Sequence, residues 1–159
     1  MLRKRKLNSI RISGPRGSRE IQRFRFAIVA ARYNTELVDQ LLRSTLDALS
    51  QAGVKQVRVV RVPGSYEVPG VVSRLARSGK HDAILALGVV LQGRTAHAEH
   101  IGIACAINLQ RITMETGVPV IHQILTPRNA RDAAARVRLR GKEAAETAIE
   151  MAAVMKEVH

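Results

Sequence analysis

Ala83 to Leu91 is a run of nine residues with no charged side chain and no side-chain hydrogen-bonding group. It is far too short to cross a bilayer, which takes about 20 apolar residues. It fits a β-strand buried on both faces, and such strands belong to parallel sheets covered by helices on either side. This run therefore points to an α/β design.

The flanking segments agree. Phe24, Phe26, Ile28 and Ala30 alternate with Arg25, Ala27, Val29 and Ala31, which suggests a strand. Asn34 is placed to cap a helix whose apolar face is Val38, Leu41, Leu42, Thr45, Leu46 and Leu49, with Gly53 to end it. Val57, Val59, Val60 and Val62 form a β-branched strand broken by Pro63-Gly64, and Pro69 fits the first turn of a second helix running to about Gly79. After Ala83–Leu91 comes a helix from about Ala96 to Thr116, stopped by Gly117 and Pro119. Val118 to Leu125 is a fourth strand. Asn129 caps a helix expected to end or kink near Gly141, and a last helix runs from there towards the C-terminus. Strand and helix alternate four times with no hairpin signal, so right-handed crossovers and a parallel sheet are expected.

Composition narrows the class. The 159 residues fit one domain, and the single cysteine excludes a disulfide framework and any multi-cysteine zinc site. A soluble protein of a reducing compartment, the cytoplasm, is the expectation. The net charge of +13 is concentrated at the start, where the first twenty residues hold seven cations and only Glu20 against them. Residues 1–22 read as a mobile basic arm and 23–159 as the folded domain. No stacking aromatics interleave the arm's cations, so nucleic-acid binding is disfavoured. A non-catalytic basic shell or nucleic-acid-binding protein on the same fold is the alternative to an enzyme. Its affinity would depend steeply on salt.

The helix after the third strand has surplus apolar surface. Ile101, Ile103, Ala104, Cys105, Ala106, Ile107, Leu109 and Ile112 wrap most of its circumference, where one stripe would cover a small sheet. The simplest partner for the excess is another copy of the chain. Cys105 is read as a packed hydrophobe there.

Ligands of open parallel sheets bind beyond the carboxyl ends of the strands. Both tyrosines, Tyr33 and Tyr66, fall in that set of segments, in a protein with 3% aromatics. Gly93-Arg94-Thr95 before a helix start suits an anion such as phosphate. There is no Gly-rich loop ending in Lys-Ser/Thr and no full dinucleotide fingerprint. His97 and His100 are three residues apart with Glu99 between them. A metal site needs a third ligand that the sequence does not place, whereas His97 beside the anion site could move protons near neutral pH. Arg136 and Arg140, one turn apart, could grip an anion together.

These strings resemble a known family. Ala31-Arg32-Tyr33-Asn34 resembles its Gly-Arg-Phe/Trp-Asn, and Val62-Pro63-Gly64-Ser65-Tyr66-Glu67-Val68-Pro69 its Val-Pro-Gly-Ala-Phe-Glu-Ile-Pro. Leu87 to His97 is similar to its Leu-Gly-x-Val-Ile-x-Gly-x-Thr-x-His, and Gly117-Val118-Pro119-Val120, Leu125-Thr126 and Gly141-Lys142-Glu143-Ala144-Ala145 follow in order. The family is 6,7-dimethyl-8-ribityllumazine synthase, of riboflavin biosynthesis. The resemblance implies a flavodoxin-like fold with a four-stranded parallel sheet in the order 2-1-3-4. It implies condensation of 5-amino-6-(D-ribitylamino)uracil with 3,4-dihydroxy-2-butanone 4-phosphate, with no metal and no organic cofactor. It also implies homopentamers, often twelve of them in a hollow 60-subunit shell, with active sites between neighbours. Carried over, Tyr33 would stack on the uracil ring and Ser65, Tyr66 and Glu67 would hold the ribityl chain. Val89, Val90 and Leu91 would line the ring pocket. Arg94 and Thr95 would bind the phosphate with Arg136 closing on it, and His97 would transfer protons. Three positions depart: His122-Gln123 replaces the family's Phe-Gly, Arg140 replaces a Lys, and the segment from Arg136 to Gly141 is shorter.

Overall fold

The computed structural model describes residues 19–159. The first eighteen residues of the expected basic arm lie outside the described residues. Within the stretch expected to be the arm, Ile21, in a 3-10 turn over Ile21–Arg23, is buried in the core.

Four strands, β1 (Arg25–Ala31), β2 (Gln56–Val62), β3 (Ala83–Val89) and β4 (Val120–Leu125), alternate with four helices, α1 (Thr35–Gln51), α2 (Val68–Arg77), α3 (His97–Thr116) and α4 (Ala130–Glu157). All strand pairs are parallel and the sheet order is β2-β1-β3-β4. This is the three-layer α/β architecture expected from the sequence, in the expected order. Every residue of β3 is buried, as the uninterrupted apolar run requires, and so are six of the seven residues of β1. β2 lies at an edge, and its Val59 is exposed.

Because successive strand residues face opposite ways, the sheet feeds two cores. Phe26, Ile28, Leu85 and Leu87 pack towards α1 and α4 with Phe24. Ala27, Val29, Ile84 and Ala86 pack towards α2 and α3.

One expectation fails. Gly141 does not end a helix: α4 is a single element of 28 residues, about 42 Å long. At Gly141, α4 packs closely on α1. A Cβ there would lie 2.7 Å from the Leu41 carbonyl oxygen and 2.7 Å from Ser44 Cβ, and the Ser44 hydroxyl donates to the Arg138 carbonyl. The glycine serves helix packing rather than helix termination. Buried Ala133, Ala144, Ala145, Ala148 and Ala152 continue the same close face.

On α3, Ile103, Ile107 and Met114 are 51%, 63% and 72% exposed. No described element of the chain covers this apolar side. Among the described residues no helix is long and apolar enough to cross a membrane.

Candidate active site

At the carboxyl edge of the sheet the chain leaving β1 is tied to the turn leaving β2. Arg32 N–H donates to the Val62 carbonyl at 2.8 Å and Tyr33 N–H to the Pro63 carbonyl at 3.0 Å. Tyr33 therefore lies over Gly64. A Cβ at Gly64 would come within 2.9 Å of Tyr33 Cδ2 and 3.0 Å of Glu67 Oε2, so the aromatic ring can settle there only because residue 64 has no side chain.

A 3-10 turn over Ser65–Glu67 follows. Glu67 Oε2 accepts the Gly64 N–H at 2.8 Å, which folds the carboxylate back onto the turn. Ser65 is buried against β3, and a Cβ on Gly88 would collide with its hydroxyl. From α3 the Cys105 thiol donates to the Ser65 carbonyl at 3.3 Å. Burial, and secondarily the charge of Glu67, push that thiol up to about 11. Cys105 is thus a packed, protonated side chain, as its apolar surroundings in the sequence imply.

Asn34 occupies the cap position of α1, but its side chain makes no capping bond. Its backbone is left-handed, with φ 59°, and its Nδ2 donates to the Val89 carbonyl at 2.7 Å. The amide links the ends of β1 and β3 instead of satisfying the helix. Asparagine tolerates the left-handed region better than other residues with a Cβ.

Between these segments and the first turns of α3 lies a cavity of about 780 Å³. Tyr33 and Asn34 contribute from β1, Gly64 to Glu67 from the turn, and Val89 to Leu91 from β3; His97, His100, Ile101 and Ala104 close the fourth side. Seven of the sequence-derived site residues other than His97 are therefore gathered: Tyr33, Ser65, Tyr66, Glu67, Val89, Val90 and Leu91. Both tyrosines are about two-thirds exposed, at 69% and 66%, leaving two aromatic faces open at one edge. Val90 N–H already bonds the Leu125 carbonyl at 2.8 Å.

His97 opens α3, with its amide 3.4 Å from Thr95 Oγ1. Arg94 and Thr95 immediately precede it but do not line the cavity. His122, Arg136 and Arg140 do not line it either. His122 is exposed on edge strand β4, Arg136 is on α4, and Arg140 pairs with Glu143 at 2.9 Å.

Sequence reasoning assigned no cavity role to Asn34, Gly64, His100, Ile101 or Ala104. The i, i+3, i+4, i+7 spacing of His97, His100, Ile101 and Ala104, one face of a helix, was the available signal for the last three. Among the described residues no group of three or more His, Cys, Asp or Glu could hold a metal ion.

The family model for 6,7-dimethyl-8-ribityllumazine synthase matches residues 23–156. A 6,7-dimethyl-8-ribityllumazine synthase of Xanthomonas oryzae pv. oryzae (strain PXO99A) is 38% identical over 138 residues, covering 83% of this chain and 90% of the relative. One of Stenotrophomonas maltophilia (strain R551-3) is 39% identical over 140 residues, covering 84% and 90%. One of Thermococcus gammatolerans is 38% identical over 137 residues, covering 84% and 89%. With the parallel sheet and the cavity at its carboxyl edge, these matches make the chain an enzyme of the 6,7-dimethyl-8-ribityllumazine synthase family, in riboflavin biosynthesis.

Proposed function

We propose that this cavity joins 5-amino-6-(D-ribitylamino)uracil to 3,4-dihydroxy-2-butanone 4-phosphate, releasing phosphate and water as the second ring of 6,7-dimethyl-8-ribityllumazine closes. The observation that carries the reading is the convergence of Tyr33, Tyr66, Glu67 and His97 on one cavity of about 780 Å³ in a chain of this family. A flat uracil ring stacks on Tyr33, and the ribityl hydroxyls bond Ser65, Tyr66 and the free oxygen of Glu67. Arg94 and Thr95 at the start of α3 take the phosphate, where helix-end amides and a guanidinium favour an anion.

The chemistry asks little else of the protein. The uracil amine adds to the ketone, and the resulting hydroxyl leaves as water once protonated. A base then removes a proton from the carbon beside the phosphate-bearing one, and the phosphate departs with its bonding electrons. Holding the two substrates face to face is worth up to roughly 7–11 kcal/mol in well-oriented cases. A histidine contributes about 10²–10⁴-fold. His97, next to the phosphate end, serves as the proton-transfer group.

A second copy completes the site. His122, Arg136 and Arg140 do not line the cavity of their own chain, and the uncovered Ile103, Ile107 and Met114 of α3 supply apolar area for a contact. The assembly is a homopentamer or a 60-subunit shell of pentamers, formed in the reducing cytoplasm. Mixing the purified protein with both substrates and following the product by its fluorescence, together with phosphate release, tests the reading. Equal amounts of lumazine and phosphate are expected. Failure to form lumazine at saturating concentrations of both overturns it.

A further inference from the structure

His100 has no place in the chemistry so far, yet it lines the same cavity as His97. The two are three residues apart in α3, on one face of the helix, with Cβ atoms about 5–6 Å apart by helix geometry. From His97 the helix runs on to Cys105, whose thiol donates to the Ser65 carbonyl. His100 is therefore one turn further along α3 than His97, away from Arg94 and Thr95, and like His97 it is exposed.

The titratable groups sharing the cavity with His100 are Tyr33, Tyr66, Glu67 and His97. Glu99 lies on its own helix but does not line the cavity, and neither α2 nor β4, both packed on α3, contributes a lining residue. One oxygen of Glu67 is engaged by the Gly64 N–H at 2.8 Å. Imidazole is the side chain suited to proton transfer near neutral pH, and the cavity holds two.

We infer that His100 is a second proton-transfer group of this site, the acid that serves water loss while His97 serves as the base for phosphate loss. The inference rests on the lumazine-forming reading. When the uracil amine has added to the ketone, the His100 imidazolium gives its proton to the new hydroxyl. The C–O bond breaks, water leaves, and the nitrogen lone pair forms the imine as the nitrogen sheds its own proton to solvent. Neutral His97 then takes the proton from the carbon beside the phosphate-bearing one. That C–H pair becomes a C=C bond while the C–O bond to phosphate breaks. The two imidazoles finish in opposite protonation states and reset by exchange with water. One histidine would have to be acid and base in turn; two divide the work.

The test is the pH dependence of kcat between pH 5 and 9 for the assembled wild-type enzyme, His100→Gln and His97→Gln, with both substrates saturating. Wild type should give a bell. His100→Gln should lose the alkaline limb and at least about tenfold in kcat at its optimum, with the KM of the phosphate substrate unchanged. His97→Gln should lose the acid limb. Exogenous imidazole should restore part of the lost turnover in His100→Ala. If His100→Gln keeps both limbs, or changes only a KM, the inference is overturned. His100→Asn replaces it should the glutamine variant not fold. A wild-type enzyme that makes no lumazine defeats the functional reading itself, whereas an active wild type with an unaltered His100→Gln profile defeats this inference alone.

Discussion

Asn34 Nδ2 and the Val89 carbonyl oxygen are 2.7 Å apart, a side-chain bond that fastens the end of β1 to the end of β3 at the mouth of the cavity. It holds the segment from which Tyr33 projects. The same residue carries a left-handed backbone, so substitution separates two effects. Asn34→Gly should remove the hydrogen bond alone and lower stability by about 1 kcal/mol. Asn34→Ala should add the strain of a Cβ in that region, about 1–2 kcal/mol more. Urea denaturation of the two variants reads the difference, and equal midpoints would show that the backbone there is not strained.

One substitution can divide the structural bond of Glu67 from the substrate contact proposed for it. Its Oε2 accepts the Gly64 amide, and glutamine can still accept that bond through its carbonyl oxygen. Glu67→Gln should therefore keep its stability within about 0.5 kcal/mol, as substitutions that break no such feature do, while losing kcat/KM for the uracil substrate. Glu67→Ala should lose about 1 kcal/mol of stability as well. Matched urea curves and initial rates distinguish the two.

Gly141→Ala runs against helix propensity. Alanine favours the helix by up to about 1 kcal/mol, yet its Cβ would meet the Leu41 carbonyl oxygen at 2.7 Å. Forced separation of α1 and α4 should win, for a net loss of about 1–3 kcal/mol. Thermal unfolding should show a lowered midpoint, and a raised one would mean the helices separate at no cost.

The Cys105 thiol sits at about 11 against an ordinary 9.0. Between those values an unfolded chain releases the proton that the folded chain keeps, so stability falls as pH rises. The loss begins near pH 9 and is complete above about 11, amounting to at most about 3 kcal/mol. Cys105→Ala should flatten this part of the stability profile. Urea midpoints of wild type and variant across pH 8–11 measure it.

His97→Ala should slow turnover by about 10²–10⁴-fold without abolishing it, because binding both substrates together persists. Arg136→Ala should raise the KM of the phosphate substrate and leave that of the uracil unmoved. Steady-state rates with each substrate varied in turn check both, and wild-type turnover in His97→Ala would remove that residue from the reaction.

The fold was legible where local pattern and tertiary role coincide. The Ala83–Leu91 run reads as an interior strand, and its first seven residues form β3, buried throughout, while Val90 and Leu91 lie half-buried beyond the strand end. Gly141 was misread because a glycine in a helical pattern looks like a stop, whereas its reason lies in Leu41 and Ser44 on another helix. Asn34 was placed at the right cap position with the wrong use for its amide, since Val89 is 55 residues away in sequence. The sheet order came only through family resemblance, as did the place of Arg136 at the phosphate, although the one-turn spacing of Arg136 and Arg140 already suggested a grip on an anion. No periodicity announces a residue that acts through another chain, the role proposed for His122, Arg136 and Arg140. His100 was visible as a spacing, yet the cavity around it was not.

One burial has a practical corollary. Cys105 is the chain's single cysteine, and it is 1% exposed, behind Ser65. Thiol-directed dyes and spin labels should therefore leave the native enzyme untouched. A cysteine introduced on a solvent-facing helix position would carry the label alone, so the proposed assembly could be probed by label-to-label distances without first removing a native thiol.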